Sequence, residues 1–510
     1  MLKSFRFNFS LYSNICEFYQ KIIVKILSSF LILNIFFLQF SFAQNSLQEA
    51  VDNFKNYSAF SNASISFCAI DLTNGSTIAE YNKNLSVQPA SIVKLFSTAT
   101  AIEAIGSDYK PSTRFYIEGE IDSLGVLNGN LWIRGGGDAS LGSKYFNDEG
   151  KEVQFLKNWV DTLKSRGIKS INGFLITDAS EFGYGGIPEG WNWSDMGNYY
   201  GAGPSGLVLY DNMIRYKFKT GSFVGAKTEL LSISPEIPNF QFHNYITSSK
   251  KSADNSFIFG APYSLDRFGN GTLPVNSKAF IVKGSLPDPE FQMAYEFEKE
   301  LKNSGVIVQK GIKTARQMDT DDFVRYTDKF KLIYTHYGES VLSIATHTNM
   351  KSVNLFAEEL LCLSGYKLNG YGSTEKSLKQ LEKFWSKRID FTGLYIKDGS
   401  GLSRSNAISS SHFCSLLQEM YKSPNYKDYL STLPLAGCSG TLSGVCKNQM
   451  GHGKIRAKSG TMNRVKAYAG YVDSDSGKKI AFAIIINNFN CSSSTVVDQM
   501  EKVFNVMAVY

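Results

Sequence analysis

Near the start of the chain, Ile65, Phe67 and Ala69 alternate with Ser64, Ser66 and Cys68, a period of two that predicts a strand. Asn74-Gly75 supplies a turn and Thr77-Ile78-Ala79-Glu80-Tyr81 a second strand, so the pair reads as a hairpin. A short helix is expected before it, over Leu47–Phe54. After Pro89 the stretch Ser91–Ile105 is apolar on nearly every side, which predicts a helix buried in a domain centre. The C-terminal end has a matching texture. Val465–Val472 and Lys479–Asn488 read as strands joined by the turn Asp473–Gly477, and a helix follows over Ser494–Met507. Strands at both ends, each with a helix beside it, predict one sheet assembled from the two chain termini.

Between these ends the texture changes. From about Ser107 to Phe330 the chain is rich in Gly, Asn, Ser and aromatic residues. Short strands are expected at Val126–Ile133, Ile171–Thr177 and Ile214–Phe218, with a helix at Glu152–Ser165. Helical patterns return at Ser340–Thr346, Val353–Leu363 and Thr374–Trp385. With 510 residues, more than one core is expected. The division predicted is a discontinuous unit of residues 44–106 and 331–510, interrupted by one or two strand-rich insertions over 107–330.

Residues 1–43 read as a targeting segment. Basic residues through Lys25 precede the apolar run Ile26–Phe40, and Ser41-Phe42-Ala43 offers small residues for cleavage before Gln44. An uncleaved anchor is the rival reading, although Asn34 and Gln39 interrupt a run already short for a membrane span of roughly 20 residues. The expected location is therefore the periplasm or cell envelope, with peripheral membrane contact or none. The formal charge is +7, and part of it resides in this leader. The remaining basic residues are dispersed, which argues against a nucleic-acid partner. Cys438 and Cys446 flank a Gly-rich turn and are the likeliest disulfide in an exported chain, with buried free thiols an equal alternative. Scattered histidines and no Cys/His spacing leave no metal site, and no cofactor is expected.

Candidate chemistry resides in three short motifs. In Pro89-Ala90-Ser91-Ile92-Val93-Lys94, serine and lysine three apart on a helix share a face. A serine hydroxyl needs a base to become a nucleophile. Burial of Lys94 would lower its pKa and supply that base. The spelling Ser-x-x-Lys recurs from Ser107, Ser248, Ser364, Ser373 and Ser476, but only Ser91 opens a long buried helix. In Ser352-Val353-Asn354, Ser352 could relay a proton and Asn354 could hold the lysine and a substrate amide, although a helix cap would spell the same. In Lys458-Ser459-Gly460-Thr461, a strand edge could pair with an extended peptide while Lys458 anchors a carboxylate. Gly460 permits close approach, and the N–H groups of Ser91 and Thr461 could form an oxyanion hole.

In this order the three motifs resemble the signature of penicillin-recognising serine enzymes. The chain resembles in particular the class C low-molecular-mass penicillin-binding proteins, D-alanyl-D-alanine carboxypeptidases and endopeptidases. The likeness extends to Arg134-Gly135-Gly136-Gly137-Asp138-Ala139-Ser140-Leu141, Trp191–Asp195, Gly201–Ser205, Asp398-Gly399-Ser400-Gly401-Leu402-Ser403-Arg404 and Leu433–Gly437 with Gly440-Thr441-Leu442. Val353 stands where the family usually has Asp, and Ser459 where it usually has Thr. The resemblance implies a mixed α/β (α+β) architecture, in which a transpeptidase-like antiparallel sheet lies between helix clusters and carries large insertions. It implies catalytic roles for Ser91, Lys94, Ser352, Asn354 and Lys458, and substrate contacts for Ser459, Gly460 and Thr461. Asp398, Ser400 and Arg404 either border the site or fix its loop. The implied partners are peptidoglycan stem peptides, with β-lactams as covalent inhibitors. A β-lactamase, a D-amino-acid amidase or esterase, and a silent wall-binding protein are the alternatives.

Overall fold

A computed structural model describes residues 47–318 and 329–510. The expected leader and its cleavage point lie outside the described residues. Both chain ends contribute to one five-stranded antiparallel sheet, in the order Ile455–Met462, Val465–Asp473, Lys479–Asn487, Ser64–Asp71, Thr77–Tyr81. The alternation that predicts strands also divides their side chains between two cores. Phe482, Ile484 and Ile486 face the C-terminal helix Ser493–Val509 and the helical residues 47–55. Ala467, Ala469, Ala481 and Ala483 face the other way, where their small side chains let helices Lys94–Ala104 and Ser410–Lys422 lie close to the sheet. The result is an antiparallel sheet between two helical layers.

The expected helix at Ser91 begins as a 3-10 turn, Ala90–Val93, and becomes α-helical from Lys94 to Ala104. Every residue from Lys94 to Ile102 is buried, as its all-round apolar composition requires. Behind it pack Val341–Lys351 and Asn354–Asn369, which share the core of Phe96, Ile344, Phe356 and Leu360.

The middle segment holds a seven-stranded mixed sheet and two three-stranded sheets. Strands Ser112–Ile121 and Val126–Gly135 form its central hairpin, and Phe115, Trp159 and Phe297 pack the helices Gln154–Ser165 and Pro289–Asn303 onto it. Two expectations change here. Ile171–Thr177 is two short strands, Ser170–Ile171 and Leu175–Asp178, which pair with successive stretches of Val126–Gly135 on either side of a turn at Asn172-Gly173. Phe330–Tyr337 pairs with Ser112–Ile121, so the sheet of the middle segment draws a strand from beyond Phe330. Local texture does not reveal that strand, because its partner lies some two hundred positions earlier.

Candidate active site

The three motifs converge where the start of the Lys94 helix meets the edge strand Ile455–Met462. Ala90 adopts φ +49° and turns the chain so that Ser91 opens the helix. The Lys94 ammonium donates to Ser91 Oγ at 2.9 Å, to Asn354 Oδ1 at 2.7 Å and to the Ser400 carbonyl at 2.6 Å. Lys94 is fully buried. Burial pushes its pKa down to about 7, against the opposing pull of the Asp398 and Glu358 carboxylates. A buried lysine near neutrality, within hydrogen-bond reach of a serine hydroxyl, has the geometry and the proton affinity of a general base.

Ser352 and Asn354 reach the site from a break between two helices. Ser352 is not a helix N-cap. It has φ +58° and follows the helix Val341–Lys351, while Val353 sits ahead of Asn354–Asn369. Asn354 Nδ2 donates to the Tyr200 carbonyl at 2.8 Å, which fixes its amide so that Oδ1 faces Lys94. Lys458 Nζ donates to Ser352 Oγ at 2.9 Å and to the Ser459 carbonyl at 2.7 Å. Burial, with Lys94 and Lys466 nearby, holds Lys458 well below the ordinary lysine range. Ser459 Oγ donates to Thr441 Oγ1 at 2.8 Å, and Lys466 Nζ donates to Thr461 Oγ1 at 2.9 Å. A Cβ on Gly460 would lie 2.7 Å from the Pro89 carbonyl and 3.2 Å from Ser91 N, so only glycine lets this strand lie against the turn that opens at Ser91.

Asp398 is buried and binds its own loop. It accepts from Trp191 Nε1, Gly401 N, Ser403 N and Asn406 Nδ2 at 2.6–2.9 Å. The Ser400 carbonyl is the part of this loop that touches the site. Gly401, at φ +82°, passes so close to Ala90 that a Cβ would meet its carbonyl at 2.0 Å. Arg404 is exposed; its carbonyl accepts from Gln88 Nε2 at 3.0 Å, and its charge acts on Asp195. Asp398 therefore acts as a loop anchor, and Arg404 stands outside the lysine–serine network.

Glu358 is a neighbour of Lys94 that the motifs do not name. Its two carboxylate oxygens accept from Ser400 N at 2.8 Å and Gly399 N at 2.9 Å, and it lies close enough to influence Lys94. Burial and the Asp398 charge push its pKa up to about 8. The signal was present in the sequence, since Glu358-Glu359 interrupts an apolar helix. Tyr200 and Thr441 are the other additions, and Tyr200 acts through a backbone atom that no motif can encode. Beside Ser352 and Asn354 a pocket of about 180 Å³ opens, lined by Lys144, Tyr145, Tyr199, Tyr200 and Asp211. Cys438 and Cys446 are both free thiols, so of the two readings the disulfide is corrected; Cys446 is buried as the alternative expects, and Cys438 is exposed. Among the described residues no cluster of His, Cys, Asp and Glu is arranged to hold a metal.

The fold is that of penicillin-binding protein 4 (dacB) from Haemophilus influenzae, whose crystal structure matches with TM-score 0.77 and 21% identity, covering 90% of this chain and 99% of that one. The chain belongs to the D-Ala-D-Ala carboxypeptidase 3 (S13) family, whose model matches residues 47–507. A D-alanyl-D-alanine carboxypeptidase from Actinomadura sp. (strain R39) is 25% identical over 455 residues, spanning 86% of this chain and 81% of its own length. The D-alanyl-D-alanine carboxypeptidase DacB of Haemophilus influenzae is 23% identical over 441 residues, spanning 84% and 86%.

Proposed function

We propose that this protein is an exported serine DD-peptidase that cleaves D-Ala-D-Ala termini or D-Ala cross-links of peptidoglycan through an acyl-enzyme on Ser91. The observation that carries the proposal is the convergence on one hydroxyl: Lys94 Nζ stands 2.9 Å from Ser91 Oγ and is itself held by Asn354 and Ser400. Lys94, half neutral near pH 7, takes the Ser91 proton as Oγ attacks the carbonyl of the penultimate D-Ala. The new C–O bond gives a tetrahedral oxyanion, to which the N–H groups of Ser91 and Thr461 donate. Lys94 returns the Ser91 proton through the Ser352 hydroxyl, which Lys458 holds, to the departing amine as the C–N bond breaks, so that Ser352 stays a hydroxyl and Lys94 is neutral once more. The edge strand from Lys458 to Thr461 pairs with the extended peptide, and its hydroxyls and Lys458 receive the terminal carboxylate. Water then attacks the ester, with Lys94 again the base, and Ser91 is restored.

The family of the chain and the names of its relatives support this reading. A second structure of the Haemophilus influenzae penicillin-binding protein 4, with TM-score 0.71 and 20% identity, contains a bound β-lactam, which supports covalent capture of penicillins by Ser91 here. The catalytic unit is the one built from both chain ends, and the middle segment is an insertion into it. Among the described residues no helix is long and apolar enough to cross a membrane.

The test is to incubate the purified protein with a fluorescent penicillin, and separately with pentapeptide and cross-linked muropeptides. Stable labelling with release of D-Ala or cleavage of cross-links is expected, and both should vanish in Ser91→Ala. Labelling that persists in Ser91→Ala refutes the nucleophile. Rapid loss of label without peptide cleavage identifies a β-lactamase instead.

A further inference from the structure

Five aromatic rings crowd the outer face of the sheet formed by Asn255–Phe259, Asp266–Pro274 and Gln241–Ser249, and the catalytic machinery uses none of them. Alternation along the strands separates the two faces. Ile246, Ile258, Arg267 and Leu273 point inward and are buried. Tyr245, Phe257, Phe259 and Phe268 point outward, where Tyr245 is 63% and Phe257 44% exposed. Phe259 and Phe268 stack at 4.8 Å with planes 12° apart. Trp193, itself 49% exposed, adds its indole from the short helix Trp193–Met196, 6.3 Å from Phe259 and 6.4 Å from Phe268.

Polar groups interleave with the rings. Phe268 pairs across the sheet with Phe259 on one side and His243 on the other; in the next row on that face, Asn270 pairs with Phe257 and Tyr245. His243 and Asp266 are bonded at 2.9 Å and stay exposed. A face that offers flat rings with an amide, an imidazole and a carboxylate between them suits a ligand with apolar faces and hydrogen-bonding edges. A pyranose ring carrying hydroxyl and acetamido groups has that form. A patch of exposed apolar area on a soluble protein marks an interaction site. This one holds five rings, against the roughly 20–30 residues a side of a standard protein interface, so it is small for a stable dimer.

The loop that carries Trp193 is hydrogen-bonded both to the aromatic sheet and to the residue that holds Asn354. Asp195, in the same helical turn as Trp193, accepts from the Tyr200 hydroxyl at 3.3 Å, and the Tyr200 carbonyl holds Asn354. Asn198 accepts from Ile258 N at 3.1 Å and so ties the same loop to the aromatic sheet. A stem peptide of four or five residues extends at most about 18 Å, so its sugar cannot lie far from a peptide seated at Ser91.

We infer that the face bearing Trp193, Tyr245, Phe257, Phe259 and Phe268 binds a β-linked N-acetylhexosamine strand and thereby holds polymeric substrate beside the cleft; this rests on the peptidase reading above. The test uses the full-length enzyme, Trp193→Ala, and the double variant Tyr245→Ala/Phe257→Ala. Calorimetric titration with a β-1,4-linked N-acetylglucosamine tetramer should show binding by the unaltered protein. Each variant should bind at least about tenfold more weakly, the loss expected when an aromatic anchor is removed. On cross-linked glycan the variants should show a raised KM with kcat unchanged, while acylation by penicillin and hydrolysis of a short peptide stay at the level of the unaltered enzyme and report that the fold is intact. Failure of the unaltered protein to bind the tetramer overturns the inference. So does equal binding by Trp193→Ala, or a dimer in sedimentation that the double variant abolishes. If the short peptide is not hydrolysed by the unaltered enzyme, the peptidase reading fails, and the tetramer titration still decides sugar binding by itself.

Discussion

Acylation of Ser91 should fall steeply as the pH drops below 7. In the proposed mechanism the active form of Lys94 is the neutral amine, and burial lowers its pKa from 10.5 to about 7. The neutral fraction is then about nine-tenths at pH 8, a half at pH 7, a tenth at pH 6 and a hundredth at pH 5, so the rate should fall roughly 90-fold from pH 8 to pH 5. An exposed lysine would be neutral in only about one molecule in three thousand at pH 7, so desolvation of this side chain supplies most of the base the reaction needs. The assay is the second-order rate constant for labelling by a fluorescent penicillin, measured from pH 5 to pH 10 at constant ionic strength. Asp398→Asn supplies the control on cause. Asp398 is the largest of the charges that raise Lys94, so removing it should move the acid limb to lower pH. A limb centred near pH 10 would show that Lys94 is an ordinary lysine, and a flat profile would show that it is not the base. A limb that moves upward in Asp398→Asn would refute the electrostatic account even if the unaltered enzyme behaves as expected.

Gly460→Ala places a Cβ 2.7 Å from the Pro89 carbonyl, and backbone on both sides cannot swing aside. The turn that opens at Ser91 must shift, and kcat/KM for a D-Ala-D-Ala peptide should fall about 100-fold, the effect of a small misplacement of reacting groups. Glu290→Gln should stabilise the protein at pH 8 by roughly 2–4 kcal/mol and have little effect at pH 5. Burial pushes the Glu290 pKa up to about 8, so its stabilising contribution is complete at low pH and is lost as the pH rises from the unfolded carboxylate range through 8; thermal melts at the two pH values measure the difference. Native thiol labelling should modify exposed Cys438 first and partly buried Cys491 more slowly, leaving Cys68, Cys362, Cys414 and Cys446 protected until the protein unfolds. Peptide mapping that finds Cys438 joined to Cys446 would contradict the free thiols seen here.

The sheet from both chain ends was legible because its first strand alternates with a period of two, Ala481–Ile486 is a short continuous apolar run, and turns at Asn74-Gly75 and Asp473–Gly477 bound the strands. The middle was legible only as texture. Its strands are short, and partners such as Phe330–Tyr337 and Ser112–Ile121 are set by contacts far apart in the chain. The Asp398 loop was found by spelling, with bordering the site and fixing the loop left as two readings. Its anchor role depends on five donors converging on one buried carboxylate, which no tripeptide declares. Glu358 shows the same limit from the other direction: a glutamate inside an apolar helix announces that something compensates it, but not that Gly399 and Ser400 do so from forty positions on.

Ser352-x-Asn354 is the sharpest case, because its chemistry depends on the helix failing between two helices. Residues two apart on a continuous helix do not face each other. Had the chain run on unbroken from Val341 to Asn369, Ser352 and Asn354 would point in different directions and could not both reach the cleft. The left-handed conformation of Ser352 ends the first helix, and Val353 starts the next with φ −70° and ψ 116°. That corner aims Ser352 at Lys458 and Asn354 at Lys94, one residue for each buried lysine. It also explains why valine is accepted in the middle place. Val353 packs against the core shared by Phe356 and Leu360, and its side chain takes no part in the hydrogen bonds of either lysine. An aspartate there is thus not required to hold the two functional ends, and the departure from the usual family spelling leaves the lysine–serine network complete.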